Sequence, residues 1–150
     1  LGYLETTPGR AVSKRMVLQR LSSLCSFFDV VSVAYDRWRI EDLLSLADDE
    51  GISLPEMTPF GQGYGSMSPA VEKFEEMLLN GQLAHPSHPI LNWCATNAIV
   101  TSDDAGNRKP SKSKATGRVD LIVAAIMAAG VLSTEAPKPS IYETRGIRFL

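Results

Sequence analysis

The sequence predicts an α/β domain, a central mixed sheet flanked by helices. Three observations point there. Val30-Val31-Ser32-Val33-Ala34-Tyr35 is β-branched and mostly apolar, the composition of an interior strand. Helical periodicity brackets it, over residues 11–28 before and 40–50 after. Finally, the run from Leu121 to Gly130 is apolar on every side of a helical wheel, which marks a helix buried all round. One hundred and fifty residues at 44% hydrophobic content suit one domain, 1–150, with a sizeable core.

In chain order, residues 1–7 read as a short strand stopped by Pro8-Gly9. The first helix carries Val12, Met16, Val17, Leu21, Leu24 and Phe28 as one core-facing stripe, with Arg10, Lys14, Arg15 and Arg20 as its solvated face. After the interior strand, Leu43, Leu44 and Ala47 set the second helix and Gly51 stops it. Residues 52–58 read as a further strand, interrupted by Pro55. Phe60 to Ser66 is a glycine-rich connection without the Gly-Lys-Ser/Thr of a phosphate-cradling loop. Ser68 and Pro69 suit the N-cap and first turn of a helix ending at Asn80-Gly81. Trp93 is expected in the core, and Asn92 and Asn97 in hydrogen bonds to backbone or DNA. Ile99-Val100 reads as a strand, residues 104–107 as its turn and residues 108–114 as a basic loop. Small residues at 124, 125, 128 and 129 admit a close neighbour, and Gly130 is placed as the cap that ends the last helix. Residues 132–150 form a C-terminal tail, broken by Pro137 and Pro139, in which residues 141–145 extend over the surface.

Two acids and one loop carry the chemistry. Asp36 stands at the carboxyl end of the interior strand, where α/β sheets bind ligands and where an N-cap for the next helix would also stand. Asp120 lies in the first turn of the last helix, a position the helix dipole favours for any carboxylate. Just before it, Arg108, Lys109, Lys112, Lys114 and Arg118 supply five cations; beside a carboxylate pair, they have the charge that a phosphodiester substrate needs. The net charge of −2 does not announce a nucleic-acid binder, so any basic surface is local. His85 and His88 are three apart, but Pro86 and Pro89 prevent a regular helix from presenting both to a metal. Cys25 and Cys94 match no zinc or CxxC spacing and read as reduced core thiols of a cytosolic protein. No apolar run reaches about 18 residues, so no membrane partner is expected. The chain opens on Leu1 without a signal-peptide pattern and is expected to be a piece of something longer.

Four short motifs, in order, carry a resemblance. They are Tyr35-Asp36-Arg37-Trp38; His88-Pro89-Ile90-Leu91-x-Trp93-x-x-x-Asn97; Lys109-Pro110-x-Lys112-Ser113; and Arg118-Val119-Asp120-x-Ile122-Val123-Ala124. With Met67-Ser68-Pro69 and Leu78-x-Asn80-Gly81 between them, the chain resembles the C-terminal nuclease domain of the large terminase subunit of tailed phages. The resemblance implies a ribonuclease H-like fold and an endonuclease that cuts concatemeric viral DNA during head packaging in the host cytoplasm. It implies double-stranded viral DNA, the terminase small subunit and the portal as partners. An ATPase domain is expected in the full-length protein; no Walker A loop occurs here. It places Leu150 at or near the natural C-terminus. The family sets acids on a first strand, a later central strand and the last helix. Asp36 matches the second and Asp120 the third, while the first lies on a strand upstream of Leu1, so the fold is partial.

Three such carboxylates hold two Mg²⁺ or Mn²⁺ ions about 3.5–4 Å apart, one activating water and the other stabilising the leaving oxygen. Hard cations of this kind take oxygen ligands, which favours Asp over His or Cys. Lys112, Lys114 and Arg118 then steer or clamp phosphates. A fragment lacking one of three acids is expected to be inactive alone. Two other readings stay open at this stage: another ribonuclease H-like nuclease of resolvase or integrase type, and a non-catalytic DNA-binding or assembly remnant of a prophage protein.

Overall fold

The computed structural model describes residues 2–38 and 40–134, so the expectation for residues 141–145 lies outside the described residues. Elements follow in the order α1 (Lys14–Phe27), β1 (Ser32–Tyr35), α2 (Glu41–Asp49), β2 (Glu56–Pro59), α3 (Tyr64–Leu79), α4 (Pro89–Asn97), β3 (Val100–Ser102), β4 (Arg108–Pro110) and α5 (Asp120–Thr134). Among the described residues there is no single central sheet. β1 and β2 form a parallel pair, with Ser32 opposite Glu56 and Tyr35 opposite Pro59. β3 and β4 form a separate antiparallel hairpin, with Val100 opposite Pro110. Residues 2–7 form no strand.

α5 packs most extensively on α3 and also meets α4 and β1. Val119, just before it, and its Ile122, Val123, Ile126 and Met127 join Met67, Ala70, Val71 and Cys94 in one core cluster. Contrary to expectation α5 is not buried all round: Leu121, Ala124, Ala128 and Leu132, on one stripe, are exposed. Gly130 does not end this helix. It lies inside α5, where a Cβ would come within 2.8 Å of Ala70 Cβ and of the Phe60 ring. The glycine is there for close packing of α3 and Phe60, a use its sequence position shares with a cap.

α3 likewise begins earlier than Ser68-Pro69 suggests, at Tyr64, with Gly63 as its N-cap and Pro69 inside it. Ser68 is buried, and its hydroxyl accepts the Arg108 backbone N–H at 3.1 Å, which fastens the β3–β4 hairpin to α3. The supposed basic loop is therefore half strand, since Arg108 to Pro110 is β4. α4 has Pro89 in its first turn and His88 as its N-cap. Trp93 is half exposed rather than in the core.

α1 packs on α2, with Leu18 and Ala47 buried. Its basic residues are not merely solvated: Lys14 pairs with Asp42, Arg15 with Glu50 and Arg20 with Glu5. The expected core-facing stripe is largely open instead, with Val12 73% and Phe28 57% exposed, although α2 packs on this helix. No described helix is long and apolar enough to cross a membrane.

Candidate functional site

Asp120 is the first residue of α5, and its entry is fixed by a buried asparagine. Asn97 Nδ2 donates to the Arg118 carbonyl at 3.3 Å, and Asn97 Oδ1 accepts from the Thr116 hydroxyl at 3.1 Å. Thr116 N–H also donates to the Asn97 carbonyl at 3.3 Å. Gly117 makes this clasp possible, because a Cβ there would lie 2.6 Å from Asn97 Nδ2. Residue type alone suggested that Asn97 satisfies hydrogen bonds, but its partners, about twenty positions away, are set by the fold. Beyond the clasp, the Asp120 carboxylate faces solvent, 68% exposed, with Lys112 Nζ 4.0 Å away. An exposed pair at that distance contributes little stability, about 0–1 kcal/mol, so the acid is not placed there to hold the fold.

Asp36 follows the last residue of β1 and is half-buried. It is not the N-cap of α2, which is Ile40 without a side-chain hydrogen bond. Instead Asp36 Oδ1 accepts the Trp38 N–H at 3.4 Å, in a turn that leaves the Trp38 side chain 86% exposed. Ser32 and Ala34 of β1 share a cleft with Ala128, Val131 and Leu132 of α5, so the strand lies against the later turns of the helix that Asp120 begins.

The basic residues divide. Arg108 is engaged on α3, its two terminal nitrogens donating to the two Glu75 carboxylate oxygens at 3.1 and 2.8 Å. The hydrogen bonds and charge of Glu75 hold this guanidinium even more firmly protonated than usual. Lys109, Lys112 and Lys114 turn instead to a cleft of about 530 Å³ between the hairpin, the start of α3 and the first turns of α5. Among the described residues no carboxylate lines it. Lys109 Nζ sits 4.6 Å over the Tyr64 ring, within range of a cation–π contact. Arg118 is exposed. Tyr64 and Thr101 were not singled out from the sequence; no local signal marks them, since the hairpin that joins them was only half legible.

The histidines have local employment. His88 Nδ1 accepts the Leu91 N–H at 3.4 Å and its ring meets Tyr3 edge-on, while His85 Nδ1 accepts the Ser87 N–H at 3.2 Å. Among the described residues no three His, Cys, Asp or Glu side chains are grouped to hold a metal. Asp36 and Asp120 therefore suit Mg²⁺ or Mn²⁺ in donor type but fall short of a complete site in donor number.

A two-stranded parallel unit and a hairpin gathered on a central helix, with an exposed acid and a lysine-lined cleft at its start, define a mixed α/β domain. Residues 2–135 match the family model of the terminase large subunit, endonuclease domain, and the chain belongs to that family. The large terminase subunit of Enterobacteria phage HK97 is 47% identical over 134 residues, covering 89% of this chain and 26% of that protein. Its crystal structure matches with a TM-score of 0.81 at 48% identity, over 87% of this chain and 27% of that one. Protein YmfN of Escherichia coli strain K12 is 28% identical across 100% of this chain and 33% of its own length. The chain thus spans about a quarter to a third of these relatives.

Proposed function

We propose that this chain is the greater part of a metal-dependent endonuclease domain that cuts double-stranded viral DNA during genome packaging. The observation that carries this reading is Asp120: an exposed carboxylate at the start of the central helix, opening onto an acid-free cleft of three lysines. Membership of the terminase endonuclease family supports it. Asp36 and Asp120 are the proposed metal-holding acids, with Mg²⁺ or Mn²⁺ as the cofactor, and their carboxylates are expected roughly 4–8 Å apart to share two ions. Lys109, Lys112, Lys114 and Arg118 face the DNA backbone.

A third acid completes the site on a strand from elsewhere in the parent protein, within a ribonuclease H-like sheet. Two observations support a place for that strand. Among the described residues β1 is paired on one side only, by β2. Beside it lies a cleft of about 330 Å³ lined by Val30, Val31, Ala34, Ala128, Val131 and Leu132. A parallel strand laid there ends next to Asp36. The terminase small subunit, the portal and an ATPase domain in the parent are proposed partners, in the host cytoplasm.

The test is plasmid nicking with Mn²⁺. The chain alone is expected to bind DNA weakly and not to cut. The full-length protein is expected to cut, and its Asp120→Asn variant to lose the activity. Robust Asp120-dependent cutting by the chain alone refutes the requirement for a third acid. Full-rate cutting by the full-length Asp120→Asn variant refutes the site. A full-length protein that binds DNA but never cuts favours the non-catalytic remnant reading.

A further inference from the structure

The lysine-lined cleft has more definition than a basic surface. Its cations differ in how they are held. Lys112 is shared with Asp120, 4.0 Å away, so the cleft opens directly onto the proposed catalytic acid. Lys109 is half-buried on β4, and its amine is fixed over the Tyr64 ring. Among the described residues neither Lys109 nor Lys114 forms an ion pair, whereas Arg108 beside them is neutralised by Glu75. The Tyr64 and Thr101 hydroxyls lie 3.3 Å apart on the same wall. The Thr101 hydroxyl has one proton and two acceptors in reach, the Lys109 carbonyl at 3.5 Å and the Tyr64 oxygen; when an occupant draws the phenolic proton into the cleft, Thr101 turns its own proton to Tyr64. Three positive charges, a hydroxyl pair and, among the described residues, no lining carboxylate select an anion with several acceptor oxygens.

We propose that this cleft seats one backbone phosphate of duplex DNA next to the phosphate at Asp120, with Lys109 as its fixed cation and Tyr64 as a hydroxyl donor. Tyr64 and Lys109 are then positioning residues: they set the register of the strand on the site without touching the reacting atoms. This rests on the nuclease reading for the identity of the ligand, but binding and cutting are measured separately.

Anisotropy of a fluorescent duplex is followed as a function of salt, without divalent metal. A residue that neutralises one phosphate contributes about one unit to the slope of log affinity against log salt. Lys109→Ala is expected to weaken binding and lower the slope by about one, with Lys109→Arg restoring it. Tyr64→Phe is expected to weaken binding several-fold with no change in slope. Lys73→Ala, on the exposed face of α3 beside Glu76, serves as the control with no effect. Duplexes carrying one uncharged methylphosphonate are then scanned along the strand. At one position the replacement is expected to cost the unmodified protein several-fold and the Lys109→Ala variant nothing. A Lys109→Ala slope equal to that of Lys73→Ala, with thermal transitions showing both variants folded, overturns the proposal. So does calorimetry in which inorganic phosphate binds more tightly than the duplex. A parent protein that never cuts DNA, while the Lys109 slope change persists, refutes the nuclease reading and leaves the phosphate seat standing.

Discussion

Asp103 organises the turn between β3 and β4 single-handedly. Its Oδ1 accepts the Asn107 and Ala105 N–H groups at 2.8 and 3.1 Å, and its Oδ2 accepts from Asn107 Nδ2 at 2.9 Å. The Asn107 side chain foremost, then these backbone donors, hold the carboxyl below the ordinary aspartate value of 3.8. The sign follows from that direction. The folded pKa is lower than the unfolded one, so this contribution to the hairpin is fully present above the unfolded value and is lost as pH falls through the folded value. An NMR titration is expected to place Asp103 below the ordinary aspartate value, and Asn107→Ala to bring it back towards that value. Arg108 makes a second prediction at this scale. Because its guanidinium is engaged by Glu75 and a partly exposed pair contributes little, Arg108→Ala should lower the urea midpoint only slightly. Its DNA salt slope should stay unchanged. A slope lowered by a full unit would restore Arg108 to the DNA contacts expected from its place in the basic run.

At the scale of elements, the α3–α5 crossing decides how the site is held. Gly130 in α5 faces Ala70 in α3, and a methyl group there meets Ala70 Cβ at 2.8 Å, an atom anchored directly to its backbone. In a free helix Gly→Ala gains about 1 kcal/mol. At this crossing the overpacking costs about 1–3 kcal/mol and outweighs that gain. Gly130→Ala is therefore expected to lower the denaturation midpoint; a higher midpoint would show that α3 shifts freely. The Asn97 clasp at the other end of α5 was half readable, because a buried asparagine announces hydrogen bonds but not their partners. Gly117 and Thr116, which complete it, carry no signal that distinguishes them from ordinary turn residues.

For the molecule as a whole, the apolar surface left open is the informative quantity. Leu121, Ala124, Ala128 and Leu132 form an exposed stripe on α5 beside the one-sided strand β1. Elsewhere, α1 shows Val12, Met16 and Val17 along a cleft of about 690 Å³ lined in part by those residues, and an exposed Phe28 follows its end. Contiguous apolar patches of this kind are uncommon on a free-standing domain and mark surfaces covered by something else. The chain alone is expected to enhance the fluorescence of a hydrophobic dye and to associate as concentration rises, measured by light scattering. The full-length protein should show neither. A monodisperse, dye-silent chain would mean that these faces close on themselves.

Sequence by itself determined where the strand before Asp36 runs, that Asp120 lies in the first turn of the last helix, and that α3 ends at Asn80-Gly81. These are local matters: β-branched runs, helical spacing and turn residues act over a few neighbours, and one chain displays them all. It also placed the chain's family, through short motifs in a fixed order. Only the tertiary structure decided the rest. Whether the α5 wheel is covered on every side depends on how many elements pack around it, and one side is open. Whether Gly130 caps or packs depends on how closely α3 approaches. Whether Arg108 is a free cation depends on Glu75, thirty-three positions earlier in the chain but within hydrogen-bond distance. Burial, close approach and charge pairing are properties of neighbours in space, and periodicity names the face of a helix without naming what covers it.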